Sequence, residues 1–202
     1  MSNHGAPHVI DQVVFINLRR RTDRLARVRQ LIDGLEIQDR VTIMEAVDAL
    51  DVDDRYLGDR GYASYSSWAL DSPQETISAL EGFRPRAARL FARFWSRELQ
   101  PADLACSLSH HHVWNTILER GWHTTLVLED DVILLPHGLS ALEEIIIPRL
   151  TAVDPVWHLL YAGRNRLVRD EVEVDQYAVR AGFSYCTHAY VLTREWASRL
   201  LE

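Results

Sequence analysis

The feature that most constrains this chain is a short apolar run, Thr124 to Leu128, that stops without transition on three consecutive carboxylates, Glu129-Asp130-Asp131. A run of that length reads as a buried strand, and its acidic exit falls where ligands bind in open α/β sheets, at the carboxyl ends of the strands. Like charges a few Å apart raise one another's pKa and require a counter-charge, which a divalent cation supplies. Hard oxygen ligands suit Mg²⁺ or Mn²⁺, whose shells are completed by water and substrate phosphates. The chemistry implied is the handling of a phosphate or diphosphate. A charged strand exit facing solvent is the competing reading, and the triplet alone does not separate the two.

The surrounding pattern predicts the sheet that this strand needs. Val13-Val14-Phe15-Ile16 is apolar and β-branched, as in a central parallel strand covered on both faces. Leu25, Val28, Leu31, Ile32 and Leu35 then recur at helical spacing with arginines opposite, and Val41 to Ala46 returns to strand character, giving a β-α-β unit. Cys106, Leu108, His112, Val113 and Ile117 predict a helix ahead of the acidic strand. After it come a helical stretch from Ala141 to Leu150 broken by Pro148, strands at Trp157 to Tyr161, Tyr177 to Arg180 and Ser184 to Leu192, and a last helix capped by Thr193. The alternation argues for one layered α/β domain, residues 1–202, around a mostly parallel sheet. Residues 51–100 differ. Mixed aromatics and charges, among them Tyr62, Tyr65 and Trp68, with weak periodicity outside Pro85 to Leu99, predict an insertion on the core, with Tyr and Trp faces able to stack on a ring.

Two more clusters carry chemistry. Asn17 to Arg24 follows the first strand and opens the first helix, so its amides and arginines share the sheet edge where an anion would sit. Ser107 to Trp114 contains three successive histidines. Successive side chains on a helix point about 100° apart, so at most one of them, with Ser109 or His110 foremost, faces a common site. Each cluster also has a plain reading: Thr22 or Asp23 as a helix cap with solvated arginines, and Ser107 or Ser109 as a cap with Trp114 in the core.

Charge narrows the partners. Lys and Arg number 22 against 29 Asp and Glu, a net charge of -7, which offers no basic field for nucleic acid or an anionic membrane. No stretch reaches the roughly 18 apolar residues of a membrane span, and the N-terminus lacks an apolar targeting core. The expectation is a cytoplasmic protein, or one peripheral at an inner membrane. Cys106 and Cys186 lack metal-ligand spacing in the sequence and read as buried thiols.

In order and spacing, the segments Phe15-Ile16-Asn17-Leu18 with Asp23-Arg24, Cys106-Ser107-Leu108-Ser109-His110 with Trp114, Leu126 to Val132, and Ala189 to Thr193 before Leu200-Leu201 resemble glycosyltransferase family 25, which includes lipooligosaccharide and collagen galactosyltransferases. The resemblance implies a GT-A-like, Rossmann-type three-layer sandwich, a UDP-sugar donor such as UDP-galactose, Mn²⁺ or Mg²⁺, and inverting transfer of a hexose to a glycan or lipid-linked acceptor. By the same carry-over, Asn17, Asp23, Arg24 and Asp48 lie near the nucleotide, and Ser109 and His110 near the donor. Asp130 and Asp131 are then the expected catalytic pair, with Asp131 and Glu129 holding the metal. The chain departs from the family in having Ala102-Asp103 where Gly-Glu is common, and the family usually continues beyond the segment that ends here at Glu202.

An inverting transfer also needs a base for the acceptor hydroxyl. Asp170, Glu171, Glu173 and Asp175 are the candidates, against an acidic solvated hairpin. Two other functions compete: a metallohydrolase built on His110 to His112 with Glu129 to Asp131, and a non-catalytic nucleotide-sugar-binding module.

Overall fold

The computed structural model describes residues 9–35, 37–62, 98–166, 171–182 and 184–202, with isolated positions 78, 89 and 92. Strand β1 (Gln12–Asn17) is buried at all six positions, as its uninterrupted apolar run predicts. Helix α1 (Thr22–Leu35) buries Val28 and Ile32, and β2 (Val41–Glu45) pairs with β1 in parallel. A short helix α2 (Asp54–Asp59) follows, capped by the Asp53 carboxylate, which accepts from the Tyr56 N–H at 2.7 Å. Then come α3 (Pro101–Arg120) and β3 (Thr124–Glu129), and β3 pairs in parallel with the other side of β1.

The second half closes the sheet. Helix α4 (Gly138–Ala141), a π turn (Leu142–Ile146) and α5 (Ile147–Val153) run on from one another. The break expected at Pro148 is absent, because the π turn lets the Ile147 N–H reach the Leu142 carbonyl and puts Pro148 in the first turn of α5, where a missing N–H costs little. Strands β4 (Leu159–Arg166) and β7 (Ser184–Thr193) complete a five-stranded sheet in the order β2-β1-β3-β7-β4, with β7 antiparallel to both neighbours. Between them β5 (Val172–Asp175) and β6 (Ala178–Arg180) form a separate hairpin, and β5 was not expected as a strand. The Thr193 hydroxyl caps the last helix, α6 (Arg194–Arg199).

Strand alternation sorts the core into two layers. Val13, Phe15, Leu126, Leu128 and Val191 pack with Val28, Ile32, Leu139 and Ile147 on one face. Val14, Ile16, Val127, Tyr190 and Leu192 pack with Val113, Ile117 and Ala197 on the other. This is the helix-sheet-helix sandwich the sequence predicts.

The thiols are not buried as expected. Cys106 is exposed and Cys186 half-buried. The buried stripe of α3 runs through Ala105, Leu108, Ser109, Val113 and Ile117, which leaves Cys106 one position off it. Tyr65, Trp68, Asp170 and nearly all of Pro85 to Leu99 lie outside the described residues.

Candidate functional site

Register brings the site together. Asn17 lies opposite Glu45 and Ile16 opposite Glu129, so the carboxyl ends of β1, β2 and β3 share one sheet edge. The Val132 N–H donates to the Glu129 carbonyl at 3.2 Å, a turn that ends strand alternation at once. The three acids consequently part. Asp130 is buried, 6% exposed, and accepts from the Asn17 amide at 2.7 Å, the Leu18 N–H at 3.4 Å and Arg24 at 2.6 Å. The same Arg24 Nη1 reaches Asp131 at 3.1 Å, so Asp130 and Asp131 share a face instead of alternating. Asp131 is 47% exposed. Two of the three charges therefore already have a guanidinium as counter-charge, and like-charge repulsion does not by itself demand a cation here.

Glu129 turns toward α3. Its Oε1 lies 3.4 Å from His110 Nε2 and 3.4 Å from the Thr187 hydroxyl. The hydrogen bond to His110 holds the Glu129 carboxyl below the usual range, against the opposing effect of burial. His110, itself buried, meets the Tyr190 hydroxyl through Nδ1 at 2.9 Å, and Trp114 Nε1 donates to the same oxygen at 3.1 Å. Cys106, exposed as a residue, sits one turn before His110; desolvation of its thiol among neighbouring atoms, then Glu129 and Asp103, pushes it up to about 11. Sulfur, imidazole nitrogen and carboxylate oxygen of Cys106, His110 and Glu129 lie within 4.8 Å of one another.

The strand end divides two clefts. One, of about 210 Å³, is lined by Arg20, Arg24, Ser109, His110, Glu129 and Asp130, among others. The other, of about 670 Å³, is largely apolar and takes in Asp131, Gly163, Tyr177 and His188. Of the expected residues, Asn17 sits beneath Asp130, and Asp23 is turned to solvent and clasped by Arg21 at 2.7 Å. Asp48 pairs with Arg20 at 2.6 Å, and that hydrogen bond lowers its pKa. Ser109 is inside α3: its hydroxyl donates to the Ala105 carbonyl at 2.7 Å and accepts from the Val47 N–H at 2.9 Å, tying the helix to the loop after β2. Ser107 likewise bonds back to Asp103, so neither serine caps the helix. That work falls to Gln100 and Asp103, the acid at the position where the sequence departs from the pattern it resembles.

The histidine run splits as helical geometry requires. His110 alone faces the carboxylates, while His111 meets Tyr62 at 3.3 Å and Asn115 at 3.2 Å. A three-histidine metal cluster is not assembled. Among the base candidates, Glu171 is held by Arg164 at 2.7 Å, Arg166 at 3.3 Å and the Gly182 N–H at 2.8 Å, with 1% of its side chain exposed. Asp175 accepts from the Tyr177 and Ala178 N–H groups of its own hairpin, and Glu173 is exposed.

Sequence reasoning missed Thr187, His188 and Tyr190. Between the pairs Gly163/Ala189 and Asn165/Tyr185, β7 places Cys186, Thr187 and His188 against Arg164 alone on β4, a bulge with Cys186 at φ 73°. Bulges re-aim side chains, and this one carries Thr187 to Glu129. Cys106 did carry a signal, since a Cys four residues before a His shares its side of a helix.

Residues 10–202 match the family described as "Glycosyltransferase family 25 (LPS biosynthesis protein)". The chain is 32% identical over 195 residues to "Procollagen galactosyltransferase 2" of Homo sapiens and 27% identical over 197 residues to a "Glycosyltransferase 25 family member" of Anopheles gambiae. It is 31% identical over 194 residues to "Probable inactive glycosyltransferase 25 family member 3" of Bos taurus. Each match covers 95% of this chain but only 27–28% of the relative's length. Among the described residues no helix is long and apolar enough to cross a membrane.

Proposed function

The chain belongs to glycosyltransferase family 25, and we propose on that premise that it moves a hexose, galactose, from a UDP-sugar to a hydroxyl of a glycan or lipooligosaccharide acceptor, with inversion. The observation that carries this reading is the meeting of Arg20, Arg24 and the Glu129 to Asp131 turn at the carboxyl ends of β1 to β3. Two guanidiniums over a 210 Å³ cleft offer forked donors to a diphosphate, and that volume suits part of a nucleotide sugar.

Asp131 and Glu129 would hold Mn²⁺ or Mg²⁺. The fit rests on donor chemistry: Asp131 is a half-exposed hard-oxygen ligand at the divide between the clefts, whereas Asp130 is occupied by Asn17, Leu18 and Arg24. A bound cation would supply charge neutralisation as the nucleotide departs. Asp130 fixes Arg24 from beneath and is a positioning residue. His110 orients Glu129, and the larger apolar cleft beside Asp131 would take the acceptor.

The test is a thermal-shift titration with UDP. Stabilisation by UDP should require Mn²⁺ or Mg²⁺, and Asp131→Asn should abolish the metal effect without lowering the unliganded melting temperature. Equal UDP binding with and without metal would sink the metal assignment. The existence of relatives named inactive favours one second reading, a nucleotide-sugar-binding module without turnover. Release of UDP from UDP-galactose excludes it.

A further inference from the structure

We propose that Cys106, His110 and Glu129 form a binding site for a thiophilic divalent cation such as zinc, distinct in ligand chemistry from a carboxylate-phosphate Mn²⁺ or Mg²⁺ site. Their ligand atoms lie within 4.8 Å of one another. Tetrahedral zinc with bonds of about 2.0 to 2.3 Å places its ligands roughly 3.3 to 3.8 Å apart, so a small rotation of the Cys106 and Glu129 side chains closes the set. Thiolate and imidazole select zinc over Mn²⁺ and Mg²⁺. Three protein ligands leave a fourth position, and it faces the 210 Å³ cleft that all three residues line.

The site is supported from behind as zinc sites are. His110 presents Nε2 to the carboxylate while Nδ1 meets the Tyr190 oxygen at 2.9 Å. In the metal-bound state Nδ1–H donates to the Tyr190 oxygen, which keeps a lone pair beside the one Trp114 occupies, and Nε2 gives up its hydrogen bond to Glu129 to offer its lone pair to the cation. Cys106 and His110 are one helical turn apart on α3, so the bidentate half of the site needs no long-range rearrangement. Cys106 is exposed, which gives the cation an entry path. On binding, the Cys106 thiol gives its proton to solvent and its sulfur lone pair to the metal; His110 keeps one ring proton, on Nδ1, and binds through Nε2, and Glu129 binds through a carboxylate oxygen. Zinc so held would draw Glu129 away from the nucleotide, and that consequence, unlike binding itself, rests on the proposed function.

The experiment adds Co²⁺ alone to the full chain, without nucleotide, and reads thiolate-to-cobalt charge-transfer absorption. The expected result is a band that saturates at one equivalent, is displaced by Zn²⁺, disappears in Cys106→Ser, weakens in Glu129→Gln and persists in Cys186→Ser. Tyr190→Phe should keep the band but lower Zn²⁺ affinity on the order of 10- to 100-fold. No band in the unmodified chain, or one that survives Cys106→Ser or is lost in Cys186→Ser, overturns the site. Because nucleotide is absent, this failure is separate from failure of UDP to bind with Mn²⁺, which would overturn the transferase reading and leave the cobalt band intact.

Discussion

Asp130 and Asp131 are adjacent in sequence and both touch Arg24, yet their environments assign them different work. Replacing Asp130 by Asn takes from Arg24 the buried one of its two carboxylates, leaving the half-exposed Asp131, and weakens the support of Asn17 and Leu18. Loss of one partner of a buried pair is worth about 3 kcal/mol, so Asp130→Asn should lower the urea midpoint strongly, whereas Asp131→Asn, half-exposed, should leave it within about 0.5 kcal/mol. Equilibrium urea unfolding of the two variants checks the contrast, and equal effects would refute it. The difference was invisible in the sequence because it depends on the turn at Glu129, which cancels strand alternation for the residues after it.

At the scale of elements, the bulge in β7 is the part of the site that pattern could not reveal. A Cβ at Gly163 would come within 2.8 Å of His188 Cδ2 and 3.3 Å of the Ala189 Cβ. Gly163→Ala should therefore cost about 1 to 3 kcal/mol in urea unfolding and push His188 off its place in the apolar cleft. A neutral outcome would mean the bulge relaxes freely. By contrast β1 and β3 were legible from uninterrupted apolar runs and α1 from its helical spacing, with β2 and α3 supported by these neighbours. The strand β5 was not, because Val172 to Asp175 is polar and pairs only with β6, away from the main sheet. His110 was legible as the one histidine able to face the carboxylates, but its hold on Glu129 depends on Tyr190 and Thr187 from a strand about 80 residues later.

For the whole molecule, Glu171 joins the hairpin region to the main sheet through Arg164 and Arg166 of β4 and the Gly182 N–H ahead of β7. The Arg164 hydrogen bond, chiefly, holds its carboxyl below the usual range. A depressed folded pKa adds stability that is complete above the ordinary glutamate value, about 4.3, and is lost as pH falls through the folded value. The melting temperature should thus fall below about pH 4.5, and Glu171→Gln, less stable at neutral pH, should flatten that fall; unchanged acid sensitivity in the variant would remove Glu171 as its source. The strand order has a further consequence for how the molecule is made. β7 follows β4 in sequence, but it lies between β3 and β4, so β4 has no partner in the main sheet until β7 arrives. During synthesis from the N-terminus, β1 to β3 can assemble while a strand-wide gap stays open beside β3, and β7, emerging after β4, must enter that gap from the side. The residues behind His110 come with it, so the edge that carries Glu129 and Asp130 is finished in the same step that seals the sheet.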